Sequence, residues 1–387
     1  MSEPQRRWGQ LALLTTAMLL GMAVWLAGSA VGPVLAITLD LSPRQTGWLT
    51  SAVQVGFVAG TLAVAVLNLA DLWPARWLVA TAAVAAATAN ASLLLADDFS
   101  TALLSRASTG VALAGVYPPA MKMAASWFRD RRGLAIGAIV AALTVGKSVP
   151  YLISGLHDLT LATAIGVPSL MSLGAALLVA VGYRDGPYLT AAKPFSWHLA
   201  ATVMRENGVR RATGGYLGHM WELYAFWAWI PGFLAAAFAA RGMPVAGART
   251  WGGVVVALGA IGSVWAGLAA DRIGRARVAR IALIVSGACC ILSPLMFRLP
   301  IWALLAVAII WGVAVIADSA QFSAMVTEFA PPHAVGTALT LQTSLGFLLS
   351  IATIQVVPWL AGLIGWQWAM VVLVLGPIGA LRSLRSL

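Results

Sequence analysis

The sequence predicts an all-α membrane protein of twelve transmembrane helices in two pseudo-symmetric six-helix bundles. Three observations lead there. Of 387 residues, 60% are hydrophobic and only 10% are charged, whereas soluble domains carry about 25% charged residues. A soluble fold of this length could not hide so much apolar surface, so lipid must be its solvent. The apolar runs are also continuous for about twenty residues or more, the length of a helix that crosses a bilayer, with none of the alternation of barrel strands. Third, the second half of the chain repeats landmarks of the first at a near-constant offset.

In chain order the runs fall at 11–37, 46–70, 77–96, 101–126, 133–155 and 160–183, then at 213–239, 251–270, 279–297, 301–325, 335–360 and 364–381. They have 18–27 residues each, enough to cross a ~30 Å hydrocarbon layer, the longer ones with some tilt. The first run is too long for a cleavable signal and has no small-residue cleavage site before a soluble domain. The longest polar interval divides the chain into bundles at 1–183 and 213–387, with 184–212 as a linker whose 197–204 stretch suits a short interfacial helix.

Orientation follows from the basic residues. Eighteen of the 24 lysines and arginines fall in loops on the side of the N-terminus, and four (Arg44, Arg241, Arg249 and Arg298) fall on the other. Arg106 and Lys147 lie inside spans. By the positive-inside rule both termini and the linker are cytoplasmic, in an inner membrane. The net charge of +11 sits between apolar runs and not on one face, which excludes a nucleic-acid partner. Cys289 and Cys290, adjacent inside a run, imply no disulfide framework and are expected to be packed core residues.

The repeat appears in three pairs. Asp71 and Asp271 close spans two and eight, Trp48 and Trp251 open them, and Phe128 and Phe329 end spans four and ten, each pair about 200 residues apart. After span eight the chain reads Gly267-Leu268-Ala269-Ala270-Asp271-Arg272-Ile273-Gly274-Arg275-Ala276-Arg277. This resembles the G-x-x-x-D-R-x-G-R-x-R loop of the major facilitator superfamily at every defining place. Arg106-Ala107-Ser108-Thr109-Gly110 resembles the family's R-x-x-[QT]-G motif, and 127–135 its loop between spans four and five. The resemblance implies transport by alternating access about a midplane site lined by spans one, four, seven and ten, by a chain expected to work as a monomer. It also implies a cytoplasmic latch: complete after span eight, with Gly267, Asp271, Arg272, Gly274 and Arg275, and degraded after span two, where only Asp71 and Arg76 survive. Span five carries Gly146-Lys147-Ser148-Val149-Pro150 in place of the G-P-x-x-G-G of drug:proton antiporters. Spans two and eight lack the arginines of nitrate and nitrite porters, although the general look is loosely like the cyanate/nitrate porter-like and organic-anion branches.

An ionisable group at mid-bilayer costs several kcal/mol, on the order of ~3, so it faces a cavity or a partner. Arg106, Lys147, His219, Glu222 and Asp318 lie well inside spans. Steps of three and four put His219, Glu222, Phe226 and Trp229 on one face of span seven. Glu222 there suits proton carriage or ligand orientation, or pairing with a buried base. Arg106 shares a face of span four with Gly110, Leu113 and Tyr117, and Pro118 should kink the helix just beyond. Lys147 stands at a height comparable to Arg106, so the two cations suit an anion, or one of them is neutralised by Glu222. Asp318 and Gln321 in span ten suit gating, coupling or a structural pair. Trp25 on span one is a cavity candidate or a packing residue. No nucleotide-binding loop, metal-ligand cluster or Ser/His/Asp set is present in the sequence, so neither a cofactor nor an enzyme activity is expected.

The sequence thus points to a secondary active transporter for a small solute, a monovalent anion sooner than a drug, with protons or a counter-ion as coupling partners. Export of hydrophobic cations or drugs, favoured by seventeen tryptophans and Glu222, is the rival within transport. A non-transporting receptor or assembly factor is the rival outside it. Reporter fusions at the two termini and within 184–212 are expected to read cytoplasmic, and a periplasmic signal from the C-terminus would contradict the twelve-span map.

Overall fold

The computed structural model describes residues 3–128, 131–155, 160–188, 196–331, 333–385 and 387, and every regular element among them is a helix. The side chains of Asp71 and Arg132, together with Arg129, Asp130 and Lys193, lie outside the described residues. Ten segments are long and apolar enough to cross a membrane: Arg6–Thr38, Pro43–Val66, Ala75–Leu95, Gly133–Ser154, Leu161–Gly182, Asn207–Ala239, Ala246–Ile273, Arg275–Met296, Ile301–Phe329 and Val335–Ile364. These are spans one to three and five to eleven. Spans four and twelve are present in pieces that are individually too short: Phe99–Leu113 with Tyr117–Ala125, and Trp366–Ala369, Met370–Val374 and Leu375–Ser383. The chain is thus a multi-pass membrane protein with the twelve-helix architecture its sequence predicts. A short helix, Trp197–Val203, lies in the polar interval, and the helix of span seven begins at Asn207.

Two interruptions have identifiable causes. Pro118 and Pro119 have no N–H to return to the preceding turn. The helix of span four therefore stops at Leu113 and restarts at Tyr117, with both prolines in a first turn where no donor is missed. Span one breaks between Met22 and Ala27 without a proline. The carbonyls of Val24 and Trp25 take no backbone N–H there, and their partner is the Arg106 guanidinium.

Both termini lie at one end of the bundle. Ser383 donates to the Arg211 carbonyl at 3.0 Å, Arg280 to that of Leu384 at 2.7 Å, and Gln10 to that of Gly182 at 3.1 Å. Two seams join the halves. Along spans two and eleven, Gln355 donates to Ser51 at 2.9 Å and the rings of Phe57 and Phe347 lie 4.5 Å apart. Along spans five and eight, Gly155 lies against Thr250, a Cβ on Gly137 would come within 3.2 Å of the Ser263 carbonyl, and one on Gly267 within 3.2 Å of the Gly133 carbonyl.

Within the first half, spans two and four cross with backbones in contact. Gly56 faces the Ala107 carbonyl, and Gly110 faces the Val53 carbonyl. Close approach of this kind is how helices associate where lipid leaves no hydrophobic drive between them. Gly56→Ala is expected to destabilise the protein by about 1–3 kcal/mol through overpacking. Gly362→Ala, at a position with open space beside it, should leave the melting temperature of the purified protein unchanged or raised.

Candidate functional site

Lys147 lies at the meeting of the two halves, 2% exposed. Its Nζ donates to the Tyr224 hydroxyl at 2.6 Å. It also stands 3.8 Å from the ring centroid of Trp25, 4.6 Å from that of Tyr224 and 5.0 Å from that of Trp227. Rings at such distances attract a cation through their electron-rich faces. Behind them Phe57 and Phe347 lie 5.0 and 5.6 Å from Trp25. The cage draws on spans one, two, five, seven and eleven, so both halves build it. Among the described residues no carboxylate pairs with Lys147.

Arg106 is fully buried and its guanidinium faces span one. Nη2 donates to the Trp25 carbonyl at 2.5 Å and to the Val24 carbonyl at 3.2 Å, and Nη1 donates to Asn90 Oδ1 at 2.8 Å. Asn90 in turn donates to Ser169 Oγ at 2.9 Å and to the Ile165 carbonyl at 3.2 Å. Gly28 leaves room for this, because a Cβ there would sit 2.6 Å from Arg106 Nε. Trp25 therefore separates the two cations: Arg106 holds its backbone and Lys147 lies over its ring. Ser29, one turn on, bonds Thr50 at 2.7 Å.

The acids lie elsewhere, inside the second half. Glu222 Oε1 accepts from Trp311 Nε1 at 2.7 Å and from Cys290 Sγ at 3.3 Å, and Oε2 accepts from Ser286 Oγ at 2.9 Å. Three neutral donors from spans nine and ten thus solvate this carboxylate, and Lys147 does not pair with it. Cys290 is a polar contact as well as a packed residue. His219 Nδ1 lies 2.7 Å from Asp318 Oδ1, at ion-pair distance but off the line of a hydrogen bond. Asp318 occupies the one-residue break of span ten between Ala317 and Ser319, and the buried Gln321 has no partner for its Oε1 among the described residues. Phe226 packs on Trp311 at 4.7 Å. His219, Glu222 and Phe226 therefore share a face toward span ten. Trp229 does not: its Nε1 donates to the Ile354 carbonyl of span eleven at 2.8 Å. Trp229 starts only about 20° round the helix from Glu222, so it is the reach of its long side chain that takes the indole to span eleven. Tyr117, half-buried, neighbours Tyr216 and Tyr224.

At the terminal end, the Asp271 carboxylate lies beside Gly133 at the start of span five, where a Cβ on Gly133 would be 3.5 Å from Oδ1. That places an acid at a helix N-terminus. Gly274 has φ of 87°, a conformation glycine adopts freely, and it links the helices of spans eight and nine. Arg275 pairs with Glu328 of span ten at 2.5 Å. Arg272 and Arg76 are exposed.

Sequence reasoning missed Tyr224, Trp227, Phe57, Phe347, Asn90 and Trp311. Tyr224 and Trp227, i and i+3 on the opposite side of span seven from Glu222, carried a usable signal. The others are brought in only by packing between spans.

The family model described as Major Facilitator Superfamily matches residues 13–246. The chain belongs to this superfamily, whose members are transporters rather than enzymes. Among solved structures, it is similar to the human organic anion transporter MFSD10 (TETRAN), with 15% identity, TM-score 0.74, and 98% of this chain and 99% of that one covered. A bacterial homologue of the human lysosomal transporter Spinster, inward-facing and unoccupied, gives 16% identity and TM-score 0.72 over 98% and 96% of the chains. A point mutant of the nucleoside transporter NupG gives 15% and 0.72 over 97% and 99%. At these identities the likeness shows the fold alone. No curated protein matches by sequence.

Trp311→Phe removes the closest donor to Glu222 and is expected to cost about 1–3 kcal/mol of stability, because a buried acceptor loses its partner. Adding Glu222→Gln should recover most of the loss in melting temperature of the purified protein.

Proposed function

We propose that this chain is a secondary active transporter that moves a small monovalent anion across the inner membrane, with Lys147 as the group that holds the anion. The observation that carries this reading is a buried lysine side chain between the two halves with no carboxylate beside it among the described residues. A charge removed from water without a counter-charge is costly, and ring faces and one hydroxyl return only part of that cost. An arriving anion supplies the missing charge. Because both halves build the cage, a ligand there would feel their relative movement, as alternating access about a midplane site requires. One of the similar folds belongs to a protein described as an organic anion transporter, which accords with this reading.

Arg106 takes a positioning role in the proposal, since most of its donors are engaged by backbone and Asn90. Glu222 and the His219–Asp318 pair, packed within the second half, are the candidates for proton coupling. Asp271 and Arg275 serve as the cytoplasmic latch, and 184–212 joins the bundles on the cytoplasmic side. The chain acts as a monomer.

Lys147→Gln should weaken anion binding by about ten- to a hundredfold, the loss of one charge-assisted contact at about 1.5–3 kcal/mol. Since Lys147 and Glu222 have separate partners, the stability effects of Lys147→Gln and Glu222→Gln should add to within about 0.5 kcal/mol. Anion uptake by reconstituted vesicles tests transport directly. Absence of both binding and uptake for every anion tried would overturn the proposal.

A further inference from the structure

The rings around Lys147 have the composition of a receptor for an organic cation, and the protein fills that receptor with a cation of its own. Trp25, Tyr224 and Trp227 hold the ammonium within 5.0 Å of their centroids, the arrangement by which aromatic cages bind quaternary ammonium groups. An outside cation would meet a like charge already in place.

The same cluster has features that suit an anion with a flat apolar body. The indole N–H groups of Trp25 and Trp227 are buried with no acceptor among the described residues, and the buried Gln54 amide, one turn before Phe57, has neither an acceptor for its Nε2 nor a donor for its Oε1. Buried donors without partners are rare, and each costs free energy that a ligand acceptor would return. Phe57, Phe347 and Tyr224 extend the aromatic surface, with Phe347 5.0 Å from Tyr224. A small inorganic anion could answer the ammonium and the indoles but would gain nothing from contact with these rings. A planar carboxylate could answer both.

We propose that Lys147 sets the sign of charge the cage accepts: with the lysine the cage takes a flat organic monoanion, and without it the same rings take an organic monocation. The inference rests on the anion reading above and adds both the class of anion and the reason cations are refused.

The test uses the full-length purified protein, wild type and Lys147→Met, with benzoate, nitrate and tetramethylammonium as probes in calorimetric binding and thermal-shift measurements. The wild type is expected to bind benzoate at least about tenfold more tightly than nitrate and to show no binding of tetramethylammonium. Lys147→Met should lose benzoate by about tenfold or more and gain tetramethylammonium, which should raise the melting temperature of the variant alone. Lys147→Arg should keep benzoate. If Lys147→Met does not yield folded protein, Lys147→Gln carries the same expectation. Folded variants that lose benzoate but gain no cation would overturn the charge-selection inference and leave the anion reading standing. Equal binding of nitrate and benzoate by the wild type would overturn the flat-anion class alone. Tetramethylammonium binding with no anion binding in the wild type would overturn both.

Discussion

The grip of Arg106 on the backbone of span one sets the centre of this molecule. Span one opens between Met22 and Ala27, and an open stretch of backbone at membrane depth must find donors for its carbonyls within the protein. Arg106 supplies them to Val24 and Trp25, and Asn90 holds the guanidinium from its other side. The interaction is reciprocal: the broken helix gives a buried cation its acceptors, and the cation lets the helix stay broken. Trp25 owes its place beside Lys147 to this exchange.

Two of the buried ionisable groups, Glu222 and Lys147, are solvated in opposite ways. Glu222 is surrounded by a hydroxyl, a thiol and an indole N–H, all within one half. Lys147 rests on ring faces contributed by both halves, with a single hydroxyl as acceptor. The first arrangement is internal to a bundle and moves with it. The second depends on the bundles' relation to each other, so a change in that relation alters the surroundings of the lysine more than those of the acid.

Much of the fold was legible in the chain because lipid makes simple demands. Apolar runs of spanning length announced the helices, and Pro118 announced the interruption of span four before any packing was known. The break in span one carried no such mark, since Arg106, about eighty residues later, sustains it. The intramembrane charges were visible as exceptions in apolar runs, yet their partners were not. Comparable height suggested a joint role for Arg106 and Lys147, whereas Trp25 stands between them and each has its own contacts. On span seven, His219, Glu222 and Phe226 meet span ten, whereas the indole of Trp229, close to Glu222 round the helix, bonds span eleven. Ring cages assembled from five spans leave no local pattern to read.

The close crossing of spans two and four has a mechanical consequence. At Gly56 and Gly110 the two backbones touch with no side chain between them, so neither helix can slide along the other without one carbonyl riding over the next residue. The pair behaves as a single stiff beam through that region. Bending in span four falls to the turn at 114–116, at the edge of the crossing where Gly60 meets Val111 and Ala114, and where the prolines have already removed the bonds that would resist it. Rigidity and compliance thus occupy adjacent stretches of one helix, and the boundary between them lies within one turn of Gly110.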